Sequence, residues 1–206
     1  MKRFALLGGI GLLFSLALAS NAPAVDTPVA AQSGPNVRAL AMAGNRVALR
    51  VLRAPDTWCR GADDPDARPR AQERAMRCMV NYAREQAGLR RLNTKRKLNR
   101  AADRKAADIL RCDDFSHQAC GRDFLYWFRR GGYLRGHCWW AGENLAWGSG
   151  GLGTARSVMT AWLRSRSHRA NLLDSDYRQF GISLREGALS GGRDAHVWVN
   201  HFGRHC

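Results

Sequence analysis

The chain has 206 residues, 45% of them hydrophobic, which is enough for one domain with its own core and excludes a purely disordered tail. Lys and Arg number 33 against 17 Asp and Glu, a formal net charge of +16, and almost all of the basic excess is arginine. Such a surface attracts anionic polymers or lipid head groups and releases them in salt.

Residues 1–24 carry an export pattern. Met1-Lys2-Arg3 is a basic start, Phe4 to Leu18 is apolar, and Ala17-Leu18-Ala19 and Ala22-Pro23-Ala24 are small-x-small cleavage sites. The apolar run is short for a membrane span, and the small residues that flank it favour cleavage over a retained anchor. No second apolar run of spanning length follows. Export makes nucleic acid a poor partner despite the charge, so none is expected. The cell envelope or a membrane surface is the more available anionic partner. Setting aside Lys2 and Arg3 leaves a net charge near +14. Residues 25–55, rich in Ala, Val, Pro and Arg without periodicity, are expected to be a linker or a poorly ordered arm, and the domain is placed at 56–206.

The first helix is expected over about 69–87. Pro69 suits its first turn and Gly88 its stop, with Met76, Met79, Val80, Ala83 and Ala87 as the apolar stripe and arginines on the other face. A second helix over about 99–111 buries Leu98, Ala102, Ala106, Ile109 and Leu110, and its alanines imply close approach to a neighbour. It delivers the chain to Phe115-Ser116-His117. A short helix over about 123–130 ends at Gly131-Gly132. After the segment Cys138 to Gly148 and a glycine-rich turn, Thr154 is expected to cap a helix running to about Leu163. Strands come last, at Phe180 to Leu184 and Ala195 to Phe202, joined by a hairpin-type connection over 186–192. Helices followed by strands predict an α+β fold with helices packed on an antiparallel sheet.

The six cysteines are Cys59, Cys78, Cys112, Cys120, Cys138 and Cys206. An even number in an exported chain predicts disulfides, and the absence of CxxC argues against a zinc ribbon or a thioredoxin-type site. Fifteen pairings are open; the preferred set is Cys59–Cys78, Cys112–Cys120 and Cys138–Cys206.

The chemistry concentrates in His117, Glu143 and His168, two imidazoles and a carboxylate among apolar neighbours. Two readings stand side by side. One is a divalent-metal site, such as zinc with an open fourth position, although HExxH is absent. The other is a structural hydrogen-bond network in which Glu143 accepts from a histidine. An enzyme would use Glu143 or a histidine as general base with Ser116, Ser165 or Ser167 as nucleophile, but there is no GxSxG elbow. Trp139, Trp140 and Trp147 are candidates for a wall against an apolar ligand or glycan, against the commoner fate of core packing.

Phe115-Ser116-His117, Ala141-Gly142-Glu143-Asn144-Leu145-Ala146 and Trp162 followed by Ser165-x-x-His168-Arg169-x-Asn171-Leu172-Leu173 resemble bacterial members of the CAP superfamily. That superfamily comprises cysteine-rich secretory proteins, antigen 5 and pathogenesis-related 1 proteins. The resemblance covers about residues 56–206. It implies a three-layer α-β-α sandwich with a small, mostly antiparallel central sheet. It also implies a surface cleft holding His117, Glu143 and His168. A second glutamate found in eukaryotic relatives is replaced here by Ser165, and Arg166-Ser167 stands where bacterial members usually have Pro-Gly. The missing glutamate weakens a metal site, because one ligand or orienting acid is gone.

The expectation is a secreted, monomeric binding module for lipid or sterol-like ligands or envelope components. The alternatives are a divalent-metal-dependent protease or esterase using the same cleft, and an adhesin for anionic polymers.

Overall fold

The computed structural model describes residues 49–136 and 138–205. The export pattern of residues 1–24 lies outside them, as does most of the arm. Residues 49–55 at the arm's end belong to the packed domain and correct the expected boundary. Leu49–Leu52 forms a single-turn helix, α1, and Leu52 and Ala54 are buried. Arg156 holds this stretch from the far side: its guanidinium donates to the carbonyl of Ala54 (2.8 Å) and to the carboxylate of Asp63 (2.7 Å). The Cys59–Cys78 disulfide is present and ties this stretch to the next helix.

Helix α2 (Pro69–Gln86) starts on its proline as expected, and Met76, Met79, Val80 and Ala83 are buried. Its arginines do not all face solvent. Arg84 is fully buried and donates to the carbonyls of Arg90 (2.9 Å), Leu172 (2.8 Å) and Asp174 (2.9 Å). A long side chain on the core face can therefore serve as a clamp for distant carbonyls. Strand β1 (Asn93–Thr94) follows, then helix α3 (Arg96–Cys112) and the short helix α4 (Tyr126–Arg130).

The order of strands differs from the expectation. The segment around Glu143 is itself a strand, β2 (Trp139–Ser149), and precedes two of the helices. Thr154 caps helix α5 (Ala155–Arg164) by accepting from the Ser157 amide, as expected. A further helix, α6 (Arg166–Leu172), was not foreseen. Strands β3 (Gln179–Leu189) and β4 (Gly192–His205) are longer than expected. Their connection is only Ser190-Gly191, both at positive φ, the turn that matches the twist of paired strands.

The sheet order is β1-β3-β4-β2, antiparallel except for the β1–β3 pair. Period-2 alternation splits β4 between two cores. Trp198 and Phe202 join the cluster formed with α2 and α5, and Val197 and Val199 join Ala102, Ala106 and Ile109 of α3. The result is three layers, helix–sheet–helix. The alanines of α3 allow the close approach inferred from sequence, and Gly181 completes it: a Cβ there would lie 2.2 Å from the backbone carbon of Leu98.

Candidate functional site

Glu143 and His201 lie directly opposite each other on β2 and β4. Cross-strand partners project to the same face, here the one covered by α3. His201 Nε2 is 2.7 Å from Glu143 Oε2, and both side chains are sealed, at 0% and 1% exposure. Phe128 of α4 stacks on the His201 ring at 4.2 Å between centroids.

The second oxygen belongs to His117. Its Nδ1 lies 2.6 Å from Glu143 Oε1, and its side chain is 25% exposed. The loop that carries it is closed by the Cys112–Cys120 disulfide. It is also anchored by Asp108, whose carboxylate accepts from Arg111 (2.7 Å), Arg122 (2.6 and 2.8 Å) and Trp127 (2.7 Å). Burial would raise the Asp108 pKa, but these donors outweigh it and hold the carboxyl below its ordinary range.

Burial would likewise raise the pKa of Glu143. The hydrogen bonds from His117 and His201, with the nearby charge of Lys105, overcome it and hold the carboxyl at about 2. Glu143 is thus ionised and can only accept, so both imidazoles donate to it. His201 is pushed down by burial, which makes it the neutral partner, protonated on Nε2. His117 donates through Nδ1. Lys105 is buried on the same helix layer, its pKa lowered by burial, and its Nζ has no hydrogen-bond partner among the described residues.

The expected trio is not brought together as one ligand set. His168 lies on α6, its ring 6.4 Å from that of Trp162 and tilted to it, and its carbonyl accepts from Asn144 Nδ2 (3.0 Å). No group of three or more His, Cys, Asp or Glu side chains among the described residues is arranged to hold a metal ion. Sequence reasoning did not place His201 or Lys105 in this network, and expected Phe128 only to face inward. The alternation of β4 placed His201 on the Val197–Val199 face, but the register against Glu143 was needed to see the pair.

The rest of the motif is architectural. Asn171 Nδ2 donates to the Glu143 carbonyl (3.2 Å) and to Asn144 Oδ1 (2.9 Å), and Trp162 Nε1 donates to the Leu145 carbonyl (3.0 Å). These bonds satisfy backbone acceptors of β2, an edge strand, and dock α5 and α6 on it. Gly142 is needed there: a Cβ would meet the Tyr177 hydroxyl at 2.3 Å. Ser165 joins α5 to α6, and its Oγ lies 3.1 Å from that of Ser167. Trp139, Trp140 and Trp147 do not share a wall. Trp140 packs with the α2–α5 core and under Arg204, Trp139 beside Phe128 and Tyr133, and Trp147 against the α3 core. Of the cysteines, Cys138 is disulfide-bonded, and its expected partner Cys206 lies outside the described residues.

The sequence profile of CAP, the cysteine-rich secretory protein family, matches residues 78–202. The chain belongs to the CAP family. Among curated proteins no sequence match is found. Solved structures share the CAP fold. An extracellular protein containing an SCP domain from Bacillus anthracis superposes with a TM-score of 0.56 at 20% identity, over 66% of this chain and 41% of its own. An outer surface protein from Borrelia burgdorferi gives 0.53 at 19%, over 64% and 90%. A cysteine-rich secretory protein from Staphylococcus aureus gives 0.51 at 18%, over 67% and 40%. The chain thus spans about two fifths of the Bacillus and Staphylococcus proteins and most of the Borrelia one.

Proposed function

We propose that this CAP domain is exported and acts as a binding module at or outside the cell envelope, with His117 as the group it presents to ligand. The observation that carries the reading is the occupation of Glu143. Both of its oxygens accept from imidazoles, and the carboxylate is sealed from solvent. It positions His117 rather than reacting. Export is supported by the pattern of residues 1–24 and by the extracellular and outer-surface descriptions of the structural neighbours.

The ligand class is lipid or sterol-like, or an envelope component with an apolar part and a group that hydrogen-bonds to imidazole. Titration of the exported protein with a panel of sterols and fatty acids should show saturable uptake, weakened about tenfold by His117→Ala, the loss of one desolvated hydrogen bond. No saturable uptake across the panel overturns the lipid version.

One observation favours a hydrolase as the second reading. A buried carboxylate that fixes the Nδ1–H tautomer leaves Nε2 of His117 as a general base. A nucleophile is less evident, because Ser116 Oγ accepts from the Gln118 amide (3.1 Å). Esterase or protease activity abolished by His117→Ala would establish this reading; its absence across both screens would remove it.

A further inference from the structure

On the opposite side of the sheet from Glu143, α1 and α5 enclose a cleft of about 230 Å³ lined by Leu49, Arg50, Arg53, Thr160, Leu163 and Arg164. It is smaller than the pockets of about 300–1,000 Å³ that enclose whole small-molecule ligands, and fits a single head group. Its chemistry is two-sided. Leu163 lines it as a buried apolar side chain, and three arginines line it beside Leu49 and Thr160.

The guanidiniums are not equivalent. Arg53 donates to Asp56 at 3.0 Å. Arg50 and Arg164 are exposed and have no acidic partner among the described residues. Two unpaired guanidiniums over one cleft match a phosphate, whose oxygens accept in the forked geometry that arginine offers and lysine does not. Leu49 and Val51, on the same short helix, are 41% and 39% exposed. A soluble phosphate ester would leave those aliphatic groups in water, whereas a lipid-borne phosphate would bring acyl surface to cover them.

We propose that the α1–α5 cleft is a docking site for the phosphate of an anionic lipid head group, seating the domain on a membrane surface through Arg50 and Arg164 with Leu49 and Val51 at the interface. The site is independent of the His117 reading, because it lies in the other helix layer.

The test is sedimentation of the exported protein with vesicles. Phosphatidylcholine vesicles containing 30 mol% (about one third) phosphatidylglycerol are compared with phosphatidylcholine alone, at an ionic strength of about 0.15 M. The protein should partition to the anionic vesicles and not to the neutral ones. Arg50→Gln/Arg164→Gln should reduce partitioning roughly ten- to thirty-fold, the loss of two interfacial arginines. The charge-matched Arg100→Gln/Arg104→Gln variant, on exposed positions of α3 in the opposite layer, should change it by less than about twofold. Leu49→Gln should weaken binding while leaving the salt dependence unchanged. Equal losses in the two double variants would show diffuse charge rather than a site and overturn the proposal. Complete displacement by millimolar glycerol phosphate would reassign the cleft to soluble phosphate esters and overturn the lipid source. Matched thermal melts of all variants exclude misfolding as the cause, because all five substituted positions are exposed.

Discussion

Glu143 and His201 face each other across β2 and β4 at 2.7 Å, and His117 closes on the other carboxylate oxygen at 2.6 Å. The carboxylate is therefore held from two sides by elements far apart in sequence. Removing His201 leaves a buried charge short of a donor and opens a void beneath Phe128. His201→Ala should cost about 3–5 kcal/mol. His117 is a quarter exposed, so water can replace it, and His117→Ala should cost only about 1 kcal/mol. Urea unfolding of the two variants checks the contrast.

The same network predicts acid sensitivity. Glu143 has a folded pKa of about 2, below its unfolded value of 4.5. The unfolded chain takes up that proton first, so the stabilisation is complete above about pH 4.5 and is lost as pH falls toward 2, about 3 kcal/mol in all. His201 is depressed from 6.5 by burial, so its contribution begins to fall away below pH 6.5. Melting temperature followed from pH 8 to pH 3 should hold to about pH 6.5 and decline below it. Glu143→Gln should be less stable at neutral pH and lose the steep part of the slope below pH 4.5.

The Cys112–Cys120 disulfide closes a short loop, and its removal should cost about 2–3 kcal/mol. The larger effect should be local. With Cys112→Ser/Cys120→Ser, amide exchange over residues 113–121 should accelerate more than in β4, because Asp108 is left as the main anchor of the His117 loop.

Arg84 serves three carbonyls with one guanidinium, including those at the end of α6. Arg84→Met should cost about 3 kcal/mol by leaving buried acceptors unpaired. Arg84→Lys should recover little of it, because an ammonium cannot span three separate acceptors in that plane. Thermal melts of both variants test this.

Much of the fold was legible from local pattern. Helix α2 follows Pro69 and the Met76–Met79–Val80–Ala83 stripe, and α5 follows the Thr154 cap. Strand β2 was not legible. Its middle is buried on both faces, so it shows no apolar–polar alternation. Helix α6 was not legible because it is short, carries no side-chain cap, and has its C-terminal Leu172 carbonyl satisfied from a distance by Arg84. In the site, two of the expected residues, His117 and Glu143, do meet. His168 does not complete a ligand set with them, and the imidazole that pairs with Glu143 is His201. Which strand residue faces Glu143 depends on register, and register is fixed by the whole sheet rather than by any motif.

The most direct test is the protonation of the histidine rings in ¹⁵N-labelled protein near neutral pH, read from long-range proton–nitrogen correlation spectra. The structure predicts His117 protonated on Nδ1 and His201 on Nε2, each donating to an ionised Glu143. His117 carrying its proton on Nε2 instead would mean that Glu143 does not hold it, and the reading of His117 as the presented group would fail.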